Sequence, residues 1–442
     1  MTRTTRRLIF YLLCALFLLL GGLVVLYAQG WRVDFKTWRP EKVGAIFVQS
    51  FPVDANIMLD NTSIPNRAGF LSRGTLITDL FPRNYELTLT HDGYADWHEN
   101  VQALPSLVTE LKYAVLVPKT STAVATGSIK NFLFASNELI LQDADDRVTW
   151  RGNLIGQGDV LDGNTNANAI IIKNSLTGRY SLYDLAKSTS TDLSAAITGA
   201  GIDPKTITSL TIDPYNATNI IGASIHRVWV FDSADRTASF IERAPIGTIV
   251  GSYPVISPSL IAWTRLGDAS NTSAVALYDK FTKVVTITSS TLPGESVITK
   301  WIHGGLLGLL QADGSLYTYD VGSQQFQKLA DDVKDFEPAS NGNALAALEN
   351  KSVEIFPFTD TMTYHRFNVP DVQAAQRLFW YKDFNHLFVQ YPDHVAFLDI
   401  DDLSLRNFIT VAQGTAPFYD DQKNALYLID FTRTLVRFDF PG

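Results

Sequence analysis

Twenty-one consecutive residues without a charge, Leu8 to Ala28 (LIFYLLCALFLLLGGLVVLYA), constrain this chain more than any other stretch. At about 1.5 Å of rise per residue, such a run reaches roughly 31 Å as a helix, the thickness of a bilayer's hydrocarbon core. Gly21 and Gly22 would weaken a helix in water, but in lipid the backbone has no other partners and glycine is tolerated. Tyr27, Trp31 and Trp38 fall where headgroups would lie, with Arg32, Lys36 and Arg39 beside them. The run predicts a membrane-spanning helix bounded by Leu8 and Ala28, a short tail over 1–7 and a juxtamembrane linker over 29–43. A cleaved signal peptide competes with this reading, since Ala28-Gln29-Gly30 offers a small-x-small exit. Its apolar core would, however, be only about 7–15 residues long. Lipoprotein processing at Cys14 is disfavoured by Leu12 and Leu13, which stand where small residues are wanted.

The tail carries Arg3, Arg6 and Arg7 and no acid, which favours a cytoplasmic N-terminus and an extracytoplasmic body. Arg32, Lys36, Arg39 and Lys42 on the other flank blunt that contrast. The formal charge of −9, from 36 bases and 45 acids, therefore rests on the body. No stretch of the body gathers Lys and Arg among aromatics, so nucleic acid is not an expected partner. Cys14 is the only cysteine and lies inside the apolar run, which excludes an intrachain disulfide framework and a cysteine-based metal site. At 442 residues, two or more domains are expected, and 46% apolar with 12% aromatic residues excludes disorder.

Residues 44–118 read as a series of short strands. AIFVQS, NIMLD and NYELTLTHDGY alternate apolar with polar, and ELKYAVLV closes the run. Pro52, Asp60-Asn61, Pro65-Asn66, Gly69, Phe81-Pro82-Arg83-Asn84 and Asp92-Gly93 supply turn chemistry between them. Six or so strands in this length predict a small β-sandwich.

The same residues resemble the PEGA domain of bacterial cell-envelope proteins. Pro52-Val53-Asp54-Ala55 stands where that family has its eponymous four residues, and Leu59-Asp60-Asn61 matches its hairpin tip with Asn for Gly. Gly74-Thr75, Leu80-Phe81-Pro82 with Tyr85, and Gly93-Tyr94 match its later steps. Asp54, Leu76 and Arg83-Asn84 depart from the pattern, and Asn61 and Asn84, at places of glycine, tolerate left-handed backbone. The resemblance covers about 75 residues and implies an extracytoplasmic sandwich with a binding or spacer role and no catalytic residues.

From 119 to 442 one pattern recurs: a turn, an apolar strand, a turn, then a strand ending on an aromatic followed by Asp or a near variant. The ends fall at Trp150, Tyr183-Asp184, Phe231-Asp232, Tyr278-Asp279, Tyr319-Asp320, Phe356, Leu398-Asp399 and Phe438-Asp439. Repeats near 40 residues with several strands each are the mark of a β-propeller. Eight units can be counted, seven if the short first one is discounted, with a pair of ordinary sandwiches as the alternative. The last unit supplies only APFYD, NALYLID and TLVRFDF, and STAVAT at 121–126 could add the missing edge strand. The WD-type pairs are absent, while Asp313-Gly314 followed by Leu316 and Asp320 resembles hairpins of quinoprotein-like propellers without implying a cofactor.

The chain is thus expected to be all-β, with an N-terminal transmembrane helix, a small PEGA-type sandwich and a large seven- to eight-bladed propeller. Chemistry is sparse. None of His91, His98, His226, His303, His365, His386 and His394 has HExxH spacing or shares one strand face with a carboxylate in a ligand-like cluster. Asp162 to Asn168 faintly matches a calcium loop, but Ala167 and Lys173 occupy the positions of its glycine and bidentate acid. Asp143 with Asp145-Asp146, and the run from Asp399 to Asp402, read as solvated turns. Nucleophile elbow, P-loop and dinucleotide glycine patterns are absent.

No catalytic, metal or cofactor residue is therefore expected. The partners expected are the bilayer and a protein or glycan of the envelope. The leading function is a non-catalytic, membrane-anchored binding or scaffolding protein. An enzyme acting on envelope glycans or peptides, with carboxylates in a propeller funnel, and an assembly factor for other membrane proteins are the alternatives.

Overall fold

The computed structural model describes residues 3–35, 38–69, 72–163, 168–267, 270–359, 364–400 and 407–442. The middle of the calcium-like loop, Lys36, and Asp401 and Asp402 lie outside them. The apolar run forms one helix, Arg3–Ala28, which begins ahead of Leu8 and takes in much of the expected tail. Its Leu, Phe and Val side chains face outward rather than into a core, and it is long and apolar enough to cross a bilayer. The segment expected as a linker is ordered. Trp31–Asp34 and Arg39–Lys42 pair as an antiparallel hairpin.

Seven strands follow in two sheets. In one, Gly44–Phe51 lies between Thr75–Leu80 and Val108–Val115, parallel to the latter; the other orders Thr62–Ile64, Asn56–Leu59, Asn84–Thr90 and Trp97–Gln102. Alternation in sequence becomes alternation in burial: Gly44–Phe51 has every second residue buried. Ile46, Ile57, Leu87, Leu89, Trp97 and Val101 fill the space between the sheets. At about 25 cal/mol per Å² of apolar surface removed from water, such a cluster is the main stabilising term for so small a module.

Among the described residues the remainder forms eight consecutive antiparallel sheets, over 129–157, 159–192, 207–243, 248–293, 296–330, 333–367, 377–413 and 415–439. We number them 1 to 8. Each aromatic-Asp step of the sequence falls at the end of the third strand of its sheet, and at Asp184, Asp232, Asp279 and Asp320 the side chain caps the turn that follows. Asp279 accepts from the N–H groups of Phe281 and Thr282, and Asp320 from that of Ser323. Such Asx turns explain why the repeat is written in Asp rather than Glu.

Sheet 8 has three strands of its own, and Thr122–Ala125 adds the fourth by pairing antiparallel with Leu435–Asp439. Eight apolar clusters lie one between each successive pair of sheets. The last joins sheet 8 back to sheet 1 through Phe132, Phe134, Tyr427 and Leu435. No single sheet closes on itself; packing between neighbours closes the ring. First strands touch one another between sheets 2 and 3, 5 and 6, and 6 and 7, which places them toward the axis. This is the architecture of a β-propeller, in which each sheet buries both faces against its neighbours.

Candidate functional site

The first strands of sheets 3 to 8 all run toward the same end of the ring, and the turns that follow them shape that end. Three clefts lie there. One of about 340 Å³ sits between sheets 3 and 4, against Asp213, Tyr215, Tyr278 and Phe281. A second of about 420 Å³ adjoins it at Tyr215 and runs along Pro258, Trp301 and His303 to Glu337. A third of about 370 Å³ shares Glu337, Pro338 and Ser340 with the second and continues to Arg377, Trp380, Phe384 and Tyr419. Because each cleft shares a wall with the next, together they form one track across six sheets.

Indole N–H groups fix its floor. Trp301 donates to the carbonyl of Val255 at 3.1 Å, and Trp380 donates to that of Glu337 at 2.9 Å, each reaching back to the preceding sheet. Both tryptophans thereby satisfy their one polar atom while the ring packs. Three of the charges of the track, Lys300, Glu337 and Arg377, lie on adjacent first strands. Lys300 Nζ donates to Glu337 Oε2 at 2.6 Å, to the Phe336 carbonyl at 2.5 Å and, more distantly, to Asp335 at 3.4 Å. Asp335 also accepts from Leu378 N–H at 3.1 Å, tying sheet 6 to sheet 7. Burial pushes the Glu337 carboxyl above the usual range, against the pull of Lys300 and Arg377.

At the near end of the track Lys280 pairs with buried Asp213 at 2.7 Å and lies over the Tyr215 ring. The track thus offers aromatic faces, a guanidinium, and a carboxyl that Lys300 orients. These are groups that hold a polar ligand with flat or apolar parts. The described residues of the clefts contain no hydrogen-bonded nucleophile–base pair. Nor does any group of three or more His, Cys, Asp or Glu among the described residues stand in metal-binding reach.

The sandwich docks on the ring through a second polar cluster. His386, fully buried, lies between Asp383 at 2.8 Å and Asp399 at 2.5 Å. Asp399 also accepts from Trp97 Nε1 of the sandwich at 3.0 Å and from Asn407 Nδ2 at 3.0 Å. Asn407 in turn brackets the His98 backbone, accepting from its N–H and donating to its carbonyl. Burial alone would drive the His386 pKa down, but the two carboxylates outweigh it and raise it to about 10. This corrects one expectation: Asp399 is buried rather than a solvated turn residue. The pairing of His386 with carboxylates has no signature along one strand, because Asp399 stands opposite His386 on the neighbouring strand.

The sandwich residues singled out in the sequence lie in its turns and core, and none lines the track. Asp60 and Asn61 form the hairpin tip with positive φ (46° and 61°), and Asp60 holds Arg83 at 2.6 Å. Gly74 is required by close approach, since a Cβ there would meet the Val48 carbonyl at 2.5 Å. Buried Thr75 donates to Asn66 at 2.8 Å and accepts from Arg67 N–H at 2.7 Å. Tyr85 donates to the Phe81 carbonyl across the Pro82 turn. Ala55 is buried, while Asp54 beyond Pro52 is exposed near His91. Gly93 has φ +85°, and Tyr94 bridges to Pro118. Asn84, expected to be left-handed, is not: it opens the strand Asn84–Thr90 with negative φ. At the anchor, Leu8, Tyr27 and Trp38 are exposed, Trp31 is half-buried, and Ala28 ends the helix.

The track residues Lys300, Glu337 and Arg377 come from three repeats. No local sequence motif marks them.

The class these features define is a ring-of-sheets protein carrying an N-terminal apolar helix and a small β-sandwich. No family model and no curated protein matches the chain. Among solved structures it is similar to an oligogalacturonate lyase in complex with manganese, at 10% identity and TM-score 0.48, over 72% of this chain and 99% of that one. BamB from Moraxella catarrhalis is similar at 12% and 0.46, over 73% and 98%. Kluyveromyces lactis Hsv2 is similar at 11% and 0.44, over 63% and 98%. At such identities and scores no activity or partner passes to this chain.

Proposed function

We propose that this protein is a membrane-anchored binding scaffold of a bacterial cell envelope. The helix spans the bilayer with its N-terminus inside, the sandwich is a PEGA-type module that holds the ring off the membrane, and the eight-bladed ring binds a protein or glycan partner. The continuous track carries the reading. Its walls come from six sheets, and Lys300, Glu337 and Arg377 stand on three adjacent first strands, so a partner lying along it meets charges held by the sheets as well as by their turns. Asp60-Asn61, Gly74-Thr75 and Tyr85, the residues that carry the PEGA resemblance, serve turns and close packing of the sandwich, which supports a structural role for that module.

The test is photocrosslinking in intact membranes from residues placed at Ser340 and Lys382, beside the track, and at exposed Leu176 on an outer turn. The same adduct is expected from the two track positions and not from Leu176, and Arg377→Ala should reduce it several-fold. Equal adducts from all three positions would remove the track from the binding surface.

A second reading, an enzyme acting on envelope glycans or peptides, has one observation in its favour: the half-buried, upward-shifted carboxyl of Glu337, which faces two of the clefts, is suited to donating a proton. If this reading holds, purified protein should cleave envelope glycan or peptide preparations and Glu337→Gln should abolish the cleavage. Binding that survives Glu337→Gln, with no turnover by either form, leaves the scaffold reading alone.

A further inference from the structure

The hairpin between helix and sandwich is held by one side chain. Arg32 donates from Nη1 to the Tyr27 carbonyl at 2.7 Å, in the last turn of the helix, and lies 3.6 Å over the Tyr27 ring. Its Nη2 reaches Asp79 of the sandwich at 2.7 Å. Val43 N–H donates to the Gly30 carbonyl at 2.9 Å, closing the base of the hairpin against the helix end. A cation on the final carbonyls suits the helix dipole, and here it also joins three elements. Arg32 thus links helix end, hairpin and sandwich.

At the other end of the hairpin, Phe35 and Trp38 meet edge to face at 6.0 Å, and each is 77% exposed. Val33 is exposed as well. A packed aromatic pair left bare is costly in water, and among the described residues nothing covers it. Around it stand Arg32, Asp34, Arg39, Glu41 and Lys42. With Lys36, the segment holds four of the chain's bases and two of its acids, a positive island on a chain of net charge −9.

We infer that the hairpin is a second membrane contact, with Phe35 and Trp38 inserted among the headgroups and its bases on anionic lipid. This rests on the helix being a membrane span. Aromatic rings with a polar atom or edge settle at the bilayer interface, and basic side chains next to a span are drawn to anionic headgroups. The hairpin is continuous with the span and clamped to it, so it reaches the same surface. Span and hairpin together make a two-point mount that sets the attitude of the sandwich over the membrane.

The full chain is reconstituted into vesicles of mixed phosphatidylglycerol and phosphatidylcholine, and into phosphatidylcholine alone. Cys14→Ser removes the only cysteine, and a spin label is placed by Phe35→Cys, Trp38→Cys or Leu176→Cys. In mixed vesicles the labels at 35 and 38 should be shielded from a water-soluble paramagnetic reagent, and the label at 176 fully open. Since labelling removes an aromatic, lipids brominated near the acyl carbonyl should also quench a fluorescence component of the unlabelled wild type that Trp38→Phe loses. Labels at 35 and 38 as open as 176, on protein that floats with the vesicles, overturn the hairpin contact and leave the span standing. Protein that fails to float overturns the span, and the contact with it. Shielding unchanged in phosphatidylcholine alone overturns the assignment to anionic lipid.

Discussion

His386 is a cation kept out of water, and its two aspartates make that tolerable. Removing one partner of a buried charged group leaves the other uncompensated, which costs about 3–5 kcal/mol. Asp383→Ala should therefore lower the unfolding free energy by about 3 kcal/mol in chemical denaturation. A change below about 1 kcal/mol would show that water reaches the ring. The pH dependence has a definite sign. The folded-state pKa of about 10 lies above the value near 6.5 of free imidazole, so the folded state holds a proton that the unfolded chain has released. The stabilisation is complete below about pH 6.5 and is lost as pH rises toward 10. Thermal unfolding followed across that window should show a falling Tm in the wild type. In Asp383→Asn the fall should finish at lower pH, and a flat wild-type profile would contradict the assignment. Trp97→Phe keeps the bulk of the side chain and removes the donor to Asp399. It should cost about 1–3 kcal/mol and let sandwich and ring melt in separate transitions by calorimetry.

At the level of elements, the sheets of the ring were readable because each repeats a local rule. The aromatic before Asp packs between sheets and the Asp caps the next turn, so Tyr278-Asp279 and Tyr319-Asp320 announce a strand end from two adjacent residues. The run STAVAT was readable for a different reason, the shortage of a strand in the last repeat. Ala123 pairs with Val436 in the added strand. Ala123→Pro should disrupt that ladder and speed hydrogen exchange through Leu435–Asp439, while the sandwich strands keep their protection. Unchanged exchange would mean that packing alone closes the ring. The hairpin at Trp31–Lys42 was not readable. Its strands are short and rich in charge, and its order comes from Arg32 reaching both Tyr27 and Asp79, contacts with no local signature. The track was equally hidden, since Lys300, Glu337 and Arg377 acquire meaning only when sheets 5, 6 and 7 stand side by side.

For the whole molecule, the strand that completes sheet 8 has a consequence for how the protein is made. Thr122–Ala125 leaves the ribosome more than three hundred positions before Leu435–Asp439, the segment it must meet. Until then the first sheet has no neighbour on one side, and Phe132 and Phe134 wait for Tyr427 and Leu435. So distant a pairing forms slowly, and an incomplete chain shows bare apolar faces at both ends of its stack. Ring formation is thus a late event that reports whether synthesis reached its last strand, and a product cut short before Leu435 should be a substrate for proteases rather than a smaller working version.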